Sequence, residues 1–145
     1  MVNTRGRWFR NARTFALIAM SAVTVSCKDS TGPAGVTGTW TLQSIDGSPL
    51  PVVVFQDASG TERITASTLV LNANGTFTVN ITFTSTPTGG SATTFNASES
   101  GTYVVNGSTV TFTFTDDEGT STDTGTISGN TLTVVADGEA WVFTR

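Results

Sequence analysis

Two stretches of sequence decide the fold: NGTFTVNITFT (residues 74–84) and NGSTVTFTFT (residues 106–115). Each begins with an Asn-Gly pair, which favours a turn, and continues with an alternation of polar and apolar residues. In the first, every second residue from Phe77 to Phe83 is apolar, and threonine or asparagine occupies the positions between them. Alternation with period two indicates strands that bury one face. Asn-Gly favours two-residue hairpin turns, in which both turn residues need a positive φ. The two stretches therefore predict antiparallel hairpins.

The same pattern continues from residue 38 to residue 145. Runs rich in Thr, Val, Ile and Phe, which favour strands, are separated by Asn-Gly, Asp-Gly, Ser-Gly or Gly-Asn pairs, and no run has a 3.6-residue period. We predict an all-β fold, an antiparallel up-and-down meander of roughly eight to ten short strands. Closing the sheet into a barrel would remove its edges. A β-sandwich is the alternative, although it usually needs longer crossing connections.

The inward faces of this barrel are large and apolar, so we expect side chains to fill it and leave at most a shallow apolar mouth. Tyr103, Phe83 and Phe114 are the candidate residues of that mouth, and the Tyr103 hydroxyl should find a hydrogen-bond partner. The residues expected to face inward are Trp40, Leu42, Phe55, Leu69, Leu71, Phe77, Val79, Ile81, Phe83, Tyr103, Val105, Val110, Phe112, Phe114, Ile127, Leu132, Val134, Trp141 and Phe143.

Residues 1–37 have a different composition from the rest of the chain. Residues 1–13 carry four arginines and no acid, and residues 14–25 form an apolar run too short to span a bilayer. This order is typical of a secretory signal peptide, which we assign to residues 1–26. The stretch before Cys27 resembles the lipobox of bacterial lipoproteins, which implies that Cys27 is lipidated and becomes the new N-terminus. A free or buried thiol is the alternative. Residues 27–37 then form the lipidated cysteine and a flexible tether, and residues 38–145 form the barrel.

This assignment predicts where the protein is located. Removal of residues 1–26 leaves three basic residues against eleven acidic ones, a net charge of −8 that excludes a nucleic-acid partner. Membrane attachment must then come from the acyl chains rather than from a basic patch. Lys28 stands where the enteric sorting pattern places the aspartate that retains lipoproteins in the inner membrane. We therefore expect an exported monomer attached to the cell envelope, on the outer membrane facing the periplasm if the cell has two membranes.

Several short motifs resemble those of lipocalins and their small bacterial lipocalin-like relatives. Gly38-Thr39-Trp40 is similar to the G-x-W signature, and it is followed by Asn74-Gly75-Thr76-Phe77, Gly101-Thr102-Tyr103, Ile127-Ser128-Gly129-Asn130-Thr131-Leu132 and Val142-Phe143-Thr144-Arg145. The resemblance implies a lipocalin-like barrel in which Arg145 lies on the indole of Trp40 and closes the barrel. The last strand would then pair antiparallel with the first.

The composition leaves little room for catalysis. The chain has no histidine, and its one cysteine is assigned to the anchor, which excludes Ser-His and Cys-His nucleophiles and the usual zinc sites. We predict that the protein is not an enzyme and has no cofactor. Asp116, Glu118 and Asp123 are weak candidates for calcium binding. They lack the EF-hand spacing, and a solvated hairpin turn is the simpler interpretation of residues 116–123.

Two function classes remain open. The barrel is either a filled scaffold or interaction module, with residues 85–94 as the best candidate contact loop, or a carrier of a small apolar ligand in its mouth. Thr-x-Thr repeats also occur on ice-binding surfaces, but those surfaces need flat ladders and the strands of a closed barrel twist.

Overall fold

The computed structural model describes residues 35–116 and 119–145, which form ten β-strands joined by short turns. Each pair of neighbouring strands is antiparallel. The strands are β1 (Gly38–Ile45), β2 (Ser48–Pro49), β3 (Val52–Asp57), β4 (Gly60–Leu71), β5 (Thr76–Pro87), β6 (Thr93–Asn106), β7 (Thr109–Asp116), β8 (Gly119–Ser128), β9 (Thr131–Ala136) and β10 (Glu139–Thr144).

Strand β1 closes the sheet, because it pairs with two strands that are far apart in sequence. Its first half, Gly38–Thr41, pairs with β4, and its second half pairs with β10. The strands from β4 to β10 follow one another in order, so β1 completes a closed barrel of eight strands. Strands β2 and β3 lie outside this ring, paired with β1 and β4. The predicted all-β meander and its closure into a barrel are confirmed.

Two turns have the backbone geometry that their sequences predict, whereas at Asn74-Gly75 and Asn106-Gly107 the prediction is wrong, because only the glycine of each pair has a positive φ. Asp46-Gly47 and Asp137-Gly138 each combine two positive φ angles, +49° and +75° in the first pair and +50° and +87° in the second. A two-residue hairpin of this type matches the twist of its flanking strands, and Asp and Gly tolerate the left-handed region. The two turns therefore place β2 and β10 beside their neighbours.

Three strands are longer than the sequence indicates. Strands β4, β6 and β8 also include residues 60–66, 93–100 and 119–123, which the alternation pattern does not mark. The expected contact loop of residues 85–94 is therefore wrong in its length, since β5 continues to Pro87 and β6 begins at Thr93. The expected acidic turn of residues 116–123 is also wrong, because most of it lies in β8.

The barrel interior is filled by one cluster of apolar side chains. All but three of the residues expected to face inward are buried, among them Trp40, Trp141 and Phe77. Val105 and Ile127 are half-buried and pack against this cluster. Phe55 is half-buried and lies outside it, because the register of β3 shifts between Val53 and Phe55. Such a shift interrupts the alternation on which the sequence prediction depends.

The alternating turns define the two ends of the barrel. At the first, which we call the Trp40 end, β1 begins and β10 ends, and the β4–β5, β6–β7 and β8–β9 turns lie there. At the opposite end, which we call the far end, β5 joins β6 and β9 joins β10.

Candidate functional site

At the Trp40 end, the indole of Trp40 contacts residues that lie before β1 and after β10. Its Nε1–H donates a hydrogen bond to the carbonyl oxygen of Val36 at 2.9 Å, and Val36 is itself buried. The Cζ atom of Arg145 lies 4.6 Å from the centroid of the Trp40 ring, within the range of a cation–π contact. One guanidinium nitrogen of Arg145 also donates to the carbonyl oxygen of Thr37 at 3.5 Å. The predicted contact between Trp40 and Arg145 is therefore present.

Tyr103 lies at the same end. Its hydroxyl donates a hydrogen bond to the carbonyl oxygen of Asn72 in the β4–β5 turn, at 2.7 Å. Its backbone N–H donates to Gly75 in the same turn. Burial raises the pKa of the phenol above its ordinary value of 10.0. The Tyr103 hydroxyl thus has the partner that the sequence predicts, and that partner belongs to a structural turn.

The other two candidate mouth residues make aromatic contacts in different parts of the barrel. Phe114 meets the ring of Phe77 edge to face at 5.0 Å, and Phe77 also contacts Phe112 in this way. Phe83 lies towards the far end, where its ring stacks on Phe95 at 5.1 Å. Phe114 thus packs on Phe77 and Phe83 packs on Phe95, while the hydroxyl of Tyr103 bonds to the β4–β5 turn.

Among the described residues, two polar side chains are buried on the inner face. Ser67 in β4 is 2 % exposed, and its Oγ has no hydrogen-bond partner among the described residues. Asp123 in β8 is 8 % exposed and lies opposite Phe112 in the register. Neither position was predicted to be buried, since serine and aspartate interrupt the apolar alternation.

The described candidate calcium ligands differ in solvent exposure and lie on different strands. Asp116 is exposed at the end of β7, Asp123 is buried in β8, and Glu118 lies outside the described residues. Within residues 35–116 and 119–145, no three acidic, histidine or cysteine side chains are grouped closely enough to hold a metal ion.

The far end carries a partly buried carboxylate, Glu139, at the start of β10. Burial raises the pKa of Glu139 above its ordinary value of 4.5, and the nearby carboxylates of Asp46 and Asp137 raise it further. A hydrogen bond with Trp141 acts in the opposite direction and lowers it. Asp46 also fixes this strand, because its Oδ1 accepts the backbone N–H of Ala140 at 2.7 Å.

A groove lies where strands β6 and β7 separate. Their pairing runs from Asn106 back to Gly101, which lies opposite Phe114, and the strands diverge beyond that point towards the far end. The groove has a volume of about 380 Å³, and its lining is rich in hydroxyl groups. Its lining residues are Thr76, Phe77, Thr78, Ser100, Gly101, Thr102, Thr113 and Thr115.

Gly101 permits the close approach of strands at the base of this groove. A Cβ at this position would collide with the carbonyl oxygen of Thr113 and would lie 2.9 Å from Cε1 of Phe77. A glycine inside a strand often marks such a close approach of backbone. Gly101 was therefore the signal in the sequence that could have located the groove. We call the point of divergence, between Ser100 and Thr115, the fork.

The expected lipidation site, Cys27, lies outside the described residues. Within the described part of the chain, no helix has the length and apolar character needed to cross a membrane.

Residues 36–134 match the family of lipocalin-like domains. The match begins two residues before β1 and ends within β9, so it includes the Trp40 end of β1 and the fork. No curated protein matches the chain. The matched region and the closed eight-stranded barrel agree, and the chain belongs to the lipocalin-like domain family.

Proposed function

We propose that this protein is an exported lipoprotein whose lipocalin-like barrel is a non-catalytic scaffold or interaction module of the cell envelope. The observation that carries the proposal is the filled interior. Trp40, Trp141 and Phe77 are all at most 1 % exposed, and they occupy the space that a ligand would need. A specific small-molecule site usually combines a pocket with a few convergent polar groups. The inner polar groups with known partners here, such as the Tyr103 hydroxyl, bond to the barrel itself.

The anchor is the second part of the proposal. A basic stretch, a short apolar run and Cys27 follow one another as they do in bacterial lipoproteins, and Lys28 after the cysteine favours the outer membrane. One acyl chain binds a membrane weakly, so stable attachment requires more than one.

Cell fractionation with metabolic labelling tests the anchor. The full chain should sediment with membranes and incorporate an alkyne-tagged fatty acid. Cys27→Ser should lose the label and move to the soluble fraction of the envelope, whereas the matched control Ser26→Ala should behave like the wild-type chain. A Cys27→Ser variant that remains labelled and membrane-bound would refute the lipid anchor.

A carrier of a small apolar ligand is the second candidate function, and membership of the lipocalin-like family favours it. Native mass spectrometry of the purified protein distinguishes the two candidates. The scaffold predicts the mass of the protein with its covalent lipid and no further molecule. A fatty acid or similar molecule retained in equimolar amount would instead make the carrier the better proposal.

A further inference from the structure

The groove beside the fork is lined by two rows of hydroxyl groups. The first row consists of Thr76, Thr102 and Thr113, and the second consists of Thr78, Ser100 and Thr115. Members of a row lie side by side on strands β5, β6 and β7. They alternate with buried residues such as Phe77 and Tyr103, so their side chains point away from the barrel interior. From strand geometry, the two rows form a grid of about 7 Å by about 10 Å.

Most of these hydroxyl groups are not used by the barrel itself. The Oγ1 of Thr76 donates a hydrogen bond to Oδ1 of Asn74 at 2.7 Å. The other five hydroxyl groups have no hydrogen-bond partner within residues 35–116 and 119–145. Further along the same two strands the arrangement differs, because Oγ1 of Thr82 donates to Oδ1 of Asn96 at 2.8 Å. The hydroxyl groups of the groove are therefore available to a ligand.

The divergence of β6 from β7 makes the surface between the two rows concave. The volume of about 380 Å³ lies at the lower end of the range usual for small-molecule sites, about 300–1,000 Å³. Strands β5 and β6 pair here without a bulge, so the hydroxyl groups are held on a regular support. The groove thus has room for a ligand of one or two six-membered rings.

The surface around the groove is uncharged. The outward positions of β5, β6, β7 and β8 carry only threonine, serine, asparagine and, at residue 104, valine. Charged residues make up 12 % of this chain, about half the usual share of a soluble domain. A charged ligand would meet no opposite charge in the lining of the groove, and the formal net charge of −4 disfavours anions further. The ligand should therefore be neutral.

We propose that the groove binds a neutral saccharide, such as one or two sugar units of an uncharged glycan. Each threonine or serine hydroxyl can both donate and accept a hydrogen bond, as each hydroxyl of a sugar can. An apolar ligand would displace water from these groups without replacing its hydrogen bonds. A protein partner fits less well, because protein interfaces are enriched in aromatic residues and arginine, which the outward positions of β5 to β8 lack.

The binding should be weak. Each hydrogen bond to the ligand replaces one to water, and Phe77, the one aromatic residue of the lining, is only 1 % exposed and offers no surface for stacking. We therefore expect a Kd in the millimolar range. The site lies on the outside of the barrel and requires neither the lipid anchor nor a hollow interior. Its tests use the full chain with Cys27→Ser, so their outcome is separate from that of the proposed function.

Nuclear magnetic resonance titration locates the site. The probes are three neutral disaccharides, maltose, cellobiose and N,N′-diacetylchitobiose, and an anionic one, digalacturonic acid. At least one neutral probe should shift the amide resonances of the groove in a saturable way, and digalacturonic acid should shift them less. The proposal is overturned if none of the neutral probes gives saturable shifts, if the shifts fall mainly on residues of the barrel interior, or if glycerol produces the same shifts.

A pair of double variants tests the hydroxyl groups. Thr113→Val/Thr115→Val removes one hydroxyl from each row and keeps the branched shape that suits a strand, so the Kd of the neutral probe should rise at least about fivefold. Thr109→Val/Thr111→Val makes the same change on the same strand outside the groove and should bind normally.

Ser100→Ala replaces the double variant if that fails to fold, since Ser100 is exposed, and it should also weaken binding. Wild-type affinity in folded Thr113→Val/Thr115→Val or in Ser100→Ala, or an equal loss in the two double variants, would show that the groove is not the binding site.

Discussion

Arg145 covers Trp40 at the point where the barrel closes. The guanidinium Cζ lies 4.6 Å from the ring centroid, so the residue after β10 contacts the third residue of β1. The same indole donates a hydrogen bond to Val36, which precedes β1. One aromatic ring thus holds together the start and the end of the barrel.

Removal of the guanidinium should weaken this closure. We expect Arg145→Ala to lower the free energy of unfolding by about 0.5–1 kcal/mol, the usual value of an exposed cation–π contact. Arg145→Lys keeps the cation but loses the planar group that stacks on the ring, so its loss should be smaller. Urea denaturation measures both. Equal stability of Arg145→Ala and wild type would show that the contact contributes nothing.

The base of the fork should not tolerate a methyl group. A Cβ at Gly101 would collide with the backbone carbonyl of Thr113. This carbonyl cannot move without disturbing the pairing of β6 with β7. We expect Gly101→Ala to cost more than about 3 kcal/mol, above the usual range for overpacking. Thermal denaturation followed by circular dichroism measures this loss.

Gly125 provides the matched control for that variant. It is also a glycine inside a strand, but the nearest atom to its Cβ would be Cδ1 of Leu132, at 3.0 Å. A leucine side chain can move by a few tenths of an ångström, so Gly125→Ala should cost less than Gly101→Ala. The reverse order of the two variants would contradict the close approach at the fork.

The strands that could be predicted from the sequence are those whose inward side chains lie in the packed interior. The alternation from Phe77 to Phe83 and the turns at Asp46-Gly47 and Asp137-Gly138 gave correct strands, since each inward residue there is buried. The first half of β6, residues 93–100, was missed because its inward positions, such as Glu99, are only partly covered. Hydrophobic periodicity in a sequence reflects which residues are buried, so the pattern is weak where residues are only partly buried.

The candidate sites were less predictable for a related reason. The Trp40–Arg145 contact was predicted from the resemblance to lipocalins, and the closure of an antiparallel meander places the end of the last strand beside the start of the first. The fork depends on where β7 stops pairing with β6, and Gly101 is the single residue in the sequence that marks this point. The burial of Asp123 was missed because an acidic residue near a turn is usually solvated.

Removal of the buried Ser67 hydroxyl should stabilise the barrel. Its Oγ lacks a hydrogen-bond partner among the described residues, and an unsatisfied buried polar group carries its full desolvation cost. We expect Ser67→Ala to raise the free energy of unfolding by about 1 kcal/mol, the lower end of that cost. The exposed control Ser128→Ala should have little effect in the same urea titration. A destabilised Ser67→Ala would indicate that the hydroxyl has a partner.

Glu139 should make stability depend on pH. Its pKa is raised in the folded protein by burial and by Asp46, so the folded protein holds this proton more tightly than the unfolded chain does. Its contribution to the free energy of unfolding therefore falls as pH rises from the ordinary pKa of 4.5 through the raised value, and is constant outside that window. Glu139→Gln removes the ionisable group and keeps a side chain that can bond to Trp141.

We expect Glu139→Gln to match the wild-type stability at low pH and to exceed it increasingly as pH rises, because the variant avoids placing a charge in a partly buried position beside Asp46 and Asp137. Urea titrations at intervals from about pH 4 upwards begin near the ordinary range of carboxyl titration and follow the upward shift. Glu62→Gln removes the same unit of charge from β4 and separates the local effect from that of net charge. A stability difference between Glu139→Gln and wild type that is independent of pH would contradict the raised pKa, and a difference that grows towards low pH would reverse its sign.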